Sequence, residues 1–294
     1  MSTIELKLSR PSRVYRPGEI IEGKIIANLS SSISYQKILV TASGTVNLQV
    51  RGGVTGVIDS LYSVVKPISI MKKSIEVVSS AGRLGPGVTE INFSFILTQE
   101  SNSHETLYET FHGGNINIQY LIAADITRGY LHKSLSATLE FILESNKTSL
   151  VSAPNLPELV SFYITQDTQK HQMMPELLTV PIRSIDIQLL RSESVLSGER
   201  IITDTSVIQT TQIADGDVQR FMALPIYVIL PRLLVCPTLL AGPFSIEFQV
   251  SLVISFQSEL SKLYPGSDRR TPRPWLAIQT LPLIILRTQR GSSA

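Results

Sequence analysis

The residues best suited to catalysis or metal binding are scattered along this sequence. None of its four histidines forms an H-E-x-x-H pattern, and a single cysteine excludes C-x-x-C. Cys236 lies in an apolar run beside Pro237, which favours a small buried hydrophobic residue over a nucleophile. G-x-S-x-G and P-loop motifs are also absent. The sequence therefore predicts no catalytic site, no metal and no cofactor.

The segment Asp215-Gly216-Asp217 resembles the start of a calcium loop. Such a loop needs oxygen ligands at alternate positions over about a dozen residues, ending in a bidentate glutamate. Here the chain continues as VQRFMALPI, which offers no such ligands. We therefore predict a tight turn with Gly216 at positive φ.

Composition is typical of a folded protein in a reducing compartment. Hydrophobic residues make up 43% and charged residues 17% of the 294 residues, enough for packed cores. The net charge of +2 predicts no general attraction to nucleic acid. The single cysteine excludes an internal disulfide, and the first residues lack the apolar run of a signal peptide. We expect a soluble cytoplasmic protein.

Two basic clusters could contact a lipid headgroup. They are Lys72-Lys73 and the group Arg269, Arg270 and Arg273. Because lysine and arginine are mostly exposed, we interpret both as solvated strand ends or loops. A phosphoinositide contact is the alternative.

Residues 221–242 are apolar enough to suggest a membrane span. Against that interpretation, Arg232 lies near the middle and three prolines interrupt the segment. Buried strands joined by proline turns fit better.

Alternation of apolar and polar residues dominates the chain and is typical of half-buried strands. It is clearest at residues 116–126 and 244–256, and shorter runs occur at 91–97 and 185–189. Glycine and proline turns separate the runs, and no helical periodicity intervenes. The fold class predicted is all-β, with two antiparallel β-sandwich domains at residues 1–145 and 159–290. The polar, proline-containing segment 146–158 would be the linker.

Four segments carry a resemblance to a known family. Residues 14–23 (VYRPGEIIEG) resemble the opening of arrestin-like domains. Residues 44–53 (GTVNLQVRGG), 108–135 and 210–239 resemble the vacuolar protein sorting 26 family, especially its C-type members, and the middle segment is plant-like. The resemblance covers nearly the whole chain.

That resemblance implies a bilobal arrestin-like fold and a non-enzymatic role. C-type members resemble a subunit of retriever, a retromer-like endosomal complex that returns membrane proteins to the cell surface. The implied direct partner is an α-solenoid subunit, with a sorting nexin and cargo tails as further candidates. The implied location is cytoplasmic, peripheral on endosomes, without nucleic-acid binding.

The resemblance also implies a partner-binding site. In retromer relatives the solenoid docks on an I-x-D-G-x-x-x-R loop. The implied partner-binding residues here are Ile213, Ala214, Asp215, Gly216, Asp217, Val218 and Arg220. We expect this loop to leave the end of a strand and return at residues 223–230, with Ile213 exposed. An ordinary core isoleucine beside a hairpin turn is the alternative.

One departure from the family affects the second domain. Between residues 162–169 and 182–190, relatives carry additional sequence long enough for two strands and a turn, which this chain lacks. The C-terminal sandwich is therefore predicted to be incomplete, and strand 182–190 should lie at or near an open edge.

The alternative function is that of an arrestin-type adaptor. Such an adaptor would link membrane cargo to a ubiquitin ligase or to other trafficking machinery, and the ligase is commonly recruited through a P-P-x-Y motif. The sequence contains no such motif, so the recycling role is favoured.

Overall fold

The computed structural model describes residues 2–50, 63–64, 66–97, 107–129, 133–144, 182–216, 226, 230–231, 234–259 and 274–287. All regular secondary structure in these residues is β-strand. The chain divides into two compact units, Met1–Thr148 with Arg287–Ala294, and Ser149–Leu286. No described residue belongs to a helix long and apolar enough to cross a membrane. The all-β prediction is confirmed.

Twelve strands form the described part of the first unit. They are β1 (Thr3–Leu8), β2 (Val14–Tyr15), β3 (Ile20–Leu29), β4 (Ile33–Tyr35), β5 (Lys37–Val50), β6 (Ser63–Val64), β7 (Ile68–Val78), β8 (Gly82–Leu84), β9 (Gly87–Ile96), β10 (Phe111–His112), β11 (Ile116–Thr127) and β12 (Leu135–Leu143).

These strands form two main sheets. One has the order β1-β3-β9, and the other has the order β2-β12-β11-β5-β6, with β7 added to β5 and β10 added to β11. Strands β4 and β8 pair in a separate two-stranded ribbon. All described pairs are antiparallel except β12 with β2, which is parallel. The prediction of antiparallel sandwiches therefore misses one short parallel pair.

Strand β11 shows why the sequence adopts this fold. Its residues alternate strictly between buried and half-buried from Ile116 to Thr127. Strand β11 runs antiparallel between β5 and β12, so both of its edges are hydrogen-bonded. Alternate side chains of a strand point to opposite faces, so its isoleucines, Tyr120 and Ala124 all enter the core.

An aromatic cluster lies in the core of the first unit. The Tyr15 and Phe141 rings meet edge to face with centroids 6.0 Å apart, and Tyr120 lies 5.6 Å from Phe141. The three-stranded sheet contributes Ile21, Ile25 and Phe93 to the buried residues. Large side chains with little exposure supply most of the hydrophobic stabilisation.

Five strands form the described part of the second unit. They are β13 (Ile182–Ser197), β14 (Arg200–Asp215), β15 (Leu239–Ala241), β16 (Phe244–Glu259) and β17 (Pro274–Leu283). The sheet order is β14-β13-β16-β15, with β17 also paired to β16. Every described pair in this sheet is antiparallel.

The position of β13 refines the prediction about an open edge. Strand β13 is hydrogen-bonded to β14 on one side and to β16 on the other, so it is not itself an edge. Among the described residues, β14 pairs only with β13 and forms the edge of this sheet. The predicted linker 146–158 and the site of the missing strand pair lie outside the described residues. The proposed domain limits and the incompleteness of the second domain stay predictions.

Candidate functional site

The implied partner-binding residues fall at the end of the edge strand β14. Ile213, Ala214 and Asp215 are its last three residues, and Gly216 follows in a bend. The remaining implied residues, Asp217, Val218 and Arg220, lie outside the described residues. Of the expected return strand 223–230, only residues 226 and 230 are described. The segment leaves the end of a strand, as predicted.

Ile213 occupies a β-bulge. Ala214 lies opposite Ile185 and Gln212 lies opposite Asp186, so Ile213 is an extra residue with no counterpart in β13. A bulge of this kind bends the strand, increases its twist and reorients the local side chains. The bulge therefore redirects the chain immediately before the implied binding loop.

A second bulge lies five residues earlier in β14. Gln209 lies opposite Leu189 and Val207 lies opposite Leu190, which leaves Ile208 as the extra residue. Bulges are among the devices that protect an edge strand from uncontrolled pairing. Exposed Ile201 and Val207 belong to the same strand, so its surface offers apolar contacts as well as backbone groups.

Gly216 closes the end of β14 in a left-handed conformation. Its φ is +83°, and its N–H donates a hydrogen bond to the Arg183 carbonyl oxygen at 2.7 Å. A side chain at this φ would be strained, so glycine suits the position. The predicted positive φ of Gly216 is confirmed.

The exposure of the site differs from the prediction. Ile213 and Ala214 are half-buried, and only Asp215 is exposed. Ile213 is thus neither a fully exposed anchor nor a core residue. A half-buried isoleucine can still contribute apolar area to a partner, because the rest of its surface remains accessible.

A buried ion pair that sequence reasoning missed lies on the inner face of β13. Arg191 Nη2 lies 2.7 Å from Glu193 Oε1, and the two side chains are 8% and 4% exposed. Arg191 Nη1 also donates to the Leu234 carbonyl oxygen at 3.3 Å. The signal was present in the sequence, because Arg191 and Glu193 continue the inward alternation of Ile187 and Leu189.

The hydrogen bond from Arg191 to Leu234 connects β13 to the segment that follows the implied loop. The carbonyl of Leu234 lies two residues before buried Cys236. A charge-assisted hydrogen bond in a poorly solvated place is stronger than its equivalent at the surface. We infer that Arg191 helps to fix the return of the chain toward β15.

The described residues contain no cluster of three or more histidine, cysteine, aspartate or glutamate side chains that could hold a metal ion. Cys236 is buried, in agreement with its interpretation as a small hydrophobic residue. The arrangement at the end of β14 is suited to contact with another protein.

A family model and a curated relative both match this chain, and both carry the same family name. The family model described as vacuolar protein sorting-associated protein 26 (Vps26) matches residues 7–172 and 163–259. Vacuolar protein sorting-associated protein 26C of Dictyostelium discoideum is 33% identical over 292 aligned positions, covering 87% of this chain and 94% of that protein.

A solved structure also aligns along most of the chain. The crystal structure of Spo0M, a sporulation control protein from Bacillus subtilis, covers 96% of this chain and 90% of its own, with 9% identity and a TM-score of 0.34. Similarity at this TM-score does not establish a shared fold.

Proposed function

The chain belongs to the Vps26 family, and from that premise we propose that it is a subunit of a retriever-type endosomal complex. Members of this family are non-enzymatic trafficking subunits, so the protein is not an enzyme. In the proposed role it binds an α-solenoid subunit and helps to return membrane-protein cargo from endosomes to the cell surface. Its attachment to the endosomal membrane would be peripheral and indirect.

The geometry of residues 213–216 is the observation that best supports this proposal. The family match extends over this segment. In the described residues, the segment combines a bulged, half-buried Ile213, an exposed Asp215 and a left-handed Gly216 at the end of an edge strand. Such a site offers apolar area, a carboxylate and backbone groups together, which suits recognition by a helical partner.

The shortened C-terminal domain is part of the same proposal. The family match is divided into two segments that overlap at residues 163–172, next to the place where a strand pair is expected to be missing. The alignment with the Dictyostelium protein spans 292 positions, but only 87% of the 294 residues of this chain take part in it. The alignment is therefore longer than the part of this chain that it contains. The relative therefore carries residues with no counterpart here. We propose that the missing residues include the strand pair.

Substitution at Ile213 and Ala214 tests the partner site. The double change Ile213→Asp with Ala214→Asp should abolish co-precipitation of the solenoid subunit, because two carboxylates would replace apolar contact area. The melting temperature should change little, since neither residue is fully buried.

The matched control is Ile208→Asp. Ile208 is also a half-buried bulge residue of β14 but lies outside the implied motif. The Ile208→Asp variant should still co-precipitate the solenoid subunit. Equal loss of binding in both variants, or loss of folding in the double variant, would contradict the proposed site.

A further inference from the structure

The two-stranded ribbon β4-β8 brings a serine and an arginine into contact. Ser34 of β4 lies directly opposite Arg83 of β8, and Ser32 immediately precedes β4. Arg83 Nε donates a hydrogen bond to Ser32 Oγ at 3.1 Å, and Arg83 Nη2 donates to the same oxygen at 2.6 Å. Two donors on one edge of the guanidinium therefore converge on a single hydroxyl oxygen.

That edge of a guanidinium is better suited to an oxyanion than to a hydroxyl. Its two N–H groups point in parallel and match two oxygens of a carboxylate or a phosphate. Arg83 forms no ion pair with any described residue. By contrast, the nitrogens of Arg10 and Lys24 lie 2.6 and 2.7 Å from glutamate oxygens. The positive charge of Arg83 is thus held beside a neutral oxygen.

The Ser32 hydroxyl lies at the surface of the first unit. Ser30 and Ser31 form an exposed bend after β3, and Ser32 follows them half-buried. Arg83 is itself exposed. The ribbon consists of three residue pairs, and so short a ribbon opens locally more easily than the long central strands do. A modifying enzyme can therefore reach this serine.

We propose that Ser32 is a phosphorylation site and that Arg83 holds the attached phosphate. An external protein kinase supplies the phosphoryl group from a nucleoside triphosphate. The bond between Oγ and phosphorus forms as the bond to the departing nucleoside diphosphate breaks, and the hydroxyl proton passes to the catalytic base of the kinase. The site belongs to the first unit and does not depend on the solenoid contact.

Phosphorylation at this position changes both the charge and the rigidity of the ribbon. A phosphoserine carries a charge of about −1.5 to −2 at pH 7, so the net charge of the pair changes from positive to negative. The Arg83 donors then bind phosphate oxygens, in charge-assisted hydrogen bonds that are stronger than those to a hydroxyl. In the chain, β4 connects β3 to β5 and β8 connects β7 to β9, and each connection joins the two main sheets. The phosphate therefore restrains two connections between the sheets.

Phosphoserine introduced at residue 32 of the full chain by amber-codon suppression tests the contact. The second pKa of the phosphate, followed by phosphorus-31 NMR, should be lower than in the same chain with Arg83→Gln, because the guanidinium favours the dianion. Arg83→Lys keeps the charge but lacks the paired donors, so its value should be intermediate. The phosphate should raise the melting temperature by about 1–3 °C, and Arg83→Gln should abolish that gain.

Ser31 provides the matched control. It is exposed and adjacent to Ser32, but its hydroxyl bonds to no described residue. The pKa of a phosphoserine at residue 31 should therefore respond little to Arg83→Gln. An equal response at residues 31 and 32 would reveal a general effect of the positive charge, and the proposal that Arg83 holds the phosphate would be wrong.

Free phosphate offers the same oxygens to Arg83. One exposed arginine should bind it too weakly to detect, because a single surface ion pair contributes little free energy. Inorganic phosphate is therefore titrated into the unmodified chain while the nitrogen-15 signal of Arg83 Nε is followed. Saturable binding that disappears in Arg83→Lys would assign the paired donors to an anion from solution and overturn the proposal.

Peptide mass spectrometry decides whether the modification occurs. The chain is produced in eukaryotic cells and purified with phosphatase inhibitors. Tryptic peptide 25–37 (IIANLSSSISYQK) contains Ser32 and its neighbouring serines, and its fragment ions should place a phosphate on Ser32. A peptide without phosphate, or with phosphate only on another residue, would contradict the assignment. The Ile213→Asp, Ala214→Asp variant should carry the same phosphate, so failure here is distinguishable from failure of the solenoid site.

Discussion

Gly44 and Tyr120 lie directly opposite each other in the neighbouring strands β5 and β11. The phenol ring occupies the space above the glycine. A Cβ at position 44 would lie 2.6 Å from Tyr120 Cε1 and 2.8 Å from its Cδ1. The ring is itself fixed, because its hydroxyl donates to the Tyr108 carbonyl oxygen at 2.6 Å and Phe141 packs against it. Two of the segments that carry the family resemblance thus meet at this pair.

Replacement of Gly44 by alanine should destabilise the first unit. The methyl group cannot fit unless the Tyr120 ring moves, and that movement would disturb its hydrogen bond and its packing against Phe141. We expect a loss of about 1–3 kcal/mol in the free energy of unfolding, measured by urea denaturation. Gly129→Ala is the control, because a Cβ there meets no atom within 4 Å. Equal effects of the two substitutions would contradict this account.

Tyr15 and Tyr120 are both buried, but loss of the hydroxyl should affect stability differently at the two positions. Tyr120→Phe removes a 2.6 Å hydrogen bond and should cost about 0.5–1.5 kcal/mol. Tyr15→Phe removes a buried hydroxyl for which the described residues offer no acceptor, so it should leave stability unchanged or raise it. Thermal unfolding of the two variants beside the wild type decides the question. Destabilisation by Tyr15→Phe as large as by Tyr120→Phe would show that its hydroxyl is already satisfied.

Alkaline pH should destabilise the fold partly through Tyr120. Burial raises the pKa of Tyr120 far above its usual value. The unfolded chain releases this proton near pH 10, so the contribution to stability is complete below that pH and decreases as the pH rises further. The slope should reach about 1.4 kcal/mol per pH unit for this one group. Urea titrations from pH 9 to 11.5 should show a shallower decline for Tyr120→Phe.

The ion pair between Arg191 and Glu193 should behave as a coupled unit. Either Arg191→Met or Glu193→Gln leaves the other charge buried and should cost about 3–5 kcal/mol. The double variant Arg191→Met, Glu193→Leu should recover part of that loss, because neither charge of this pair is then left buried without the other. A double-mutant cycle measures the coupling energy between the two residues. Additive effects of the Arg191 and Glu193 changes would refute the coupling.

An exposed pair provides the contrast. Lys24 and Glu90 lie 2.7 Å apart with 48% and 51% of their side chains exposed. Lys24→Met should change stability little, and the small effect should vanish in high salt.

Proteolysis should begin in the second half of the chain. If the predicted strand pair is missing, side chains of the C-terminal core are exposed to solvent. Each large apolar side chain then loses roughly 1.5–3 kcal/mol of hydrophobic stabilisation. Limited trypsin digestion should then cut first beyond about residue 145 and leave an N-terminal fragment, and restoring the strand pair should slow that cleavage. Equal resistance of both halves, with a single ordinary melting transition, would contradict the prediction that the domain is weakened.

The sequence alone determined which residues form strands and which face they occupy in the clearest runs. In β11, alternation from Ile116 to Thr127 appears in the structure as strict alternation of burial. The same holds for Phe93 and Phe95 in β9, whose neighbours are exposed. Alternation is a local consequence of strand geometry, so it can be predicted without knowing any partner strand. The positive φ of Gly216 is a local property in the same sense.

Tertiary structure decided which strands pair and in what register. The sequence could not show that β13 lies between β14 and β16, or that Ile213 is an extra residue opposite Ile185 and Asp186. Nor could it bring Arg10 over the Tyr15 ring, or Gly44 beneath Tyr120. Each of these features depends on two segments whose relative position is fixed only when their shared core is packed. Register, bulges and buried polar partners are therefore properties of the assembled sheet, because one strand's pattern fits several alignments until its neighbour selects one.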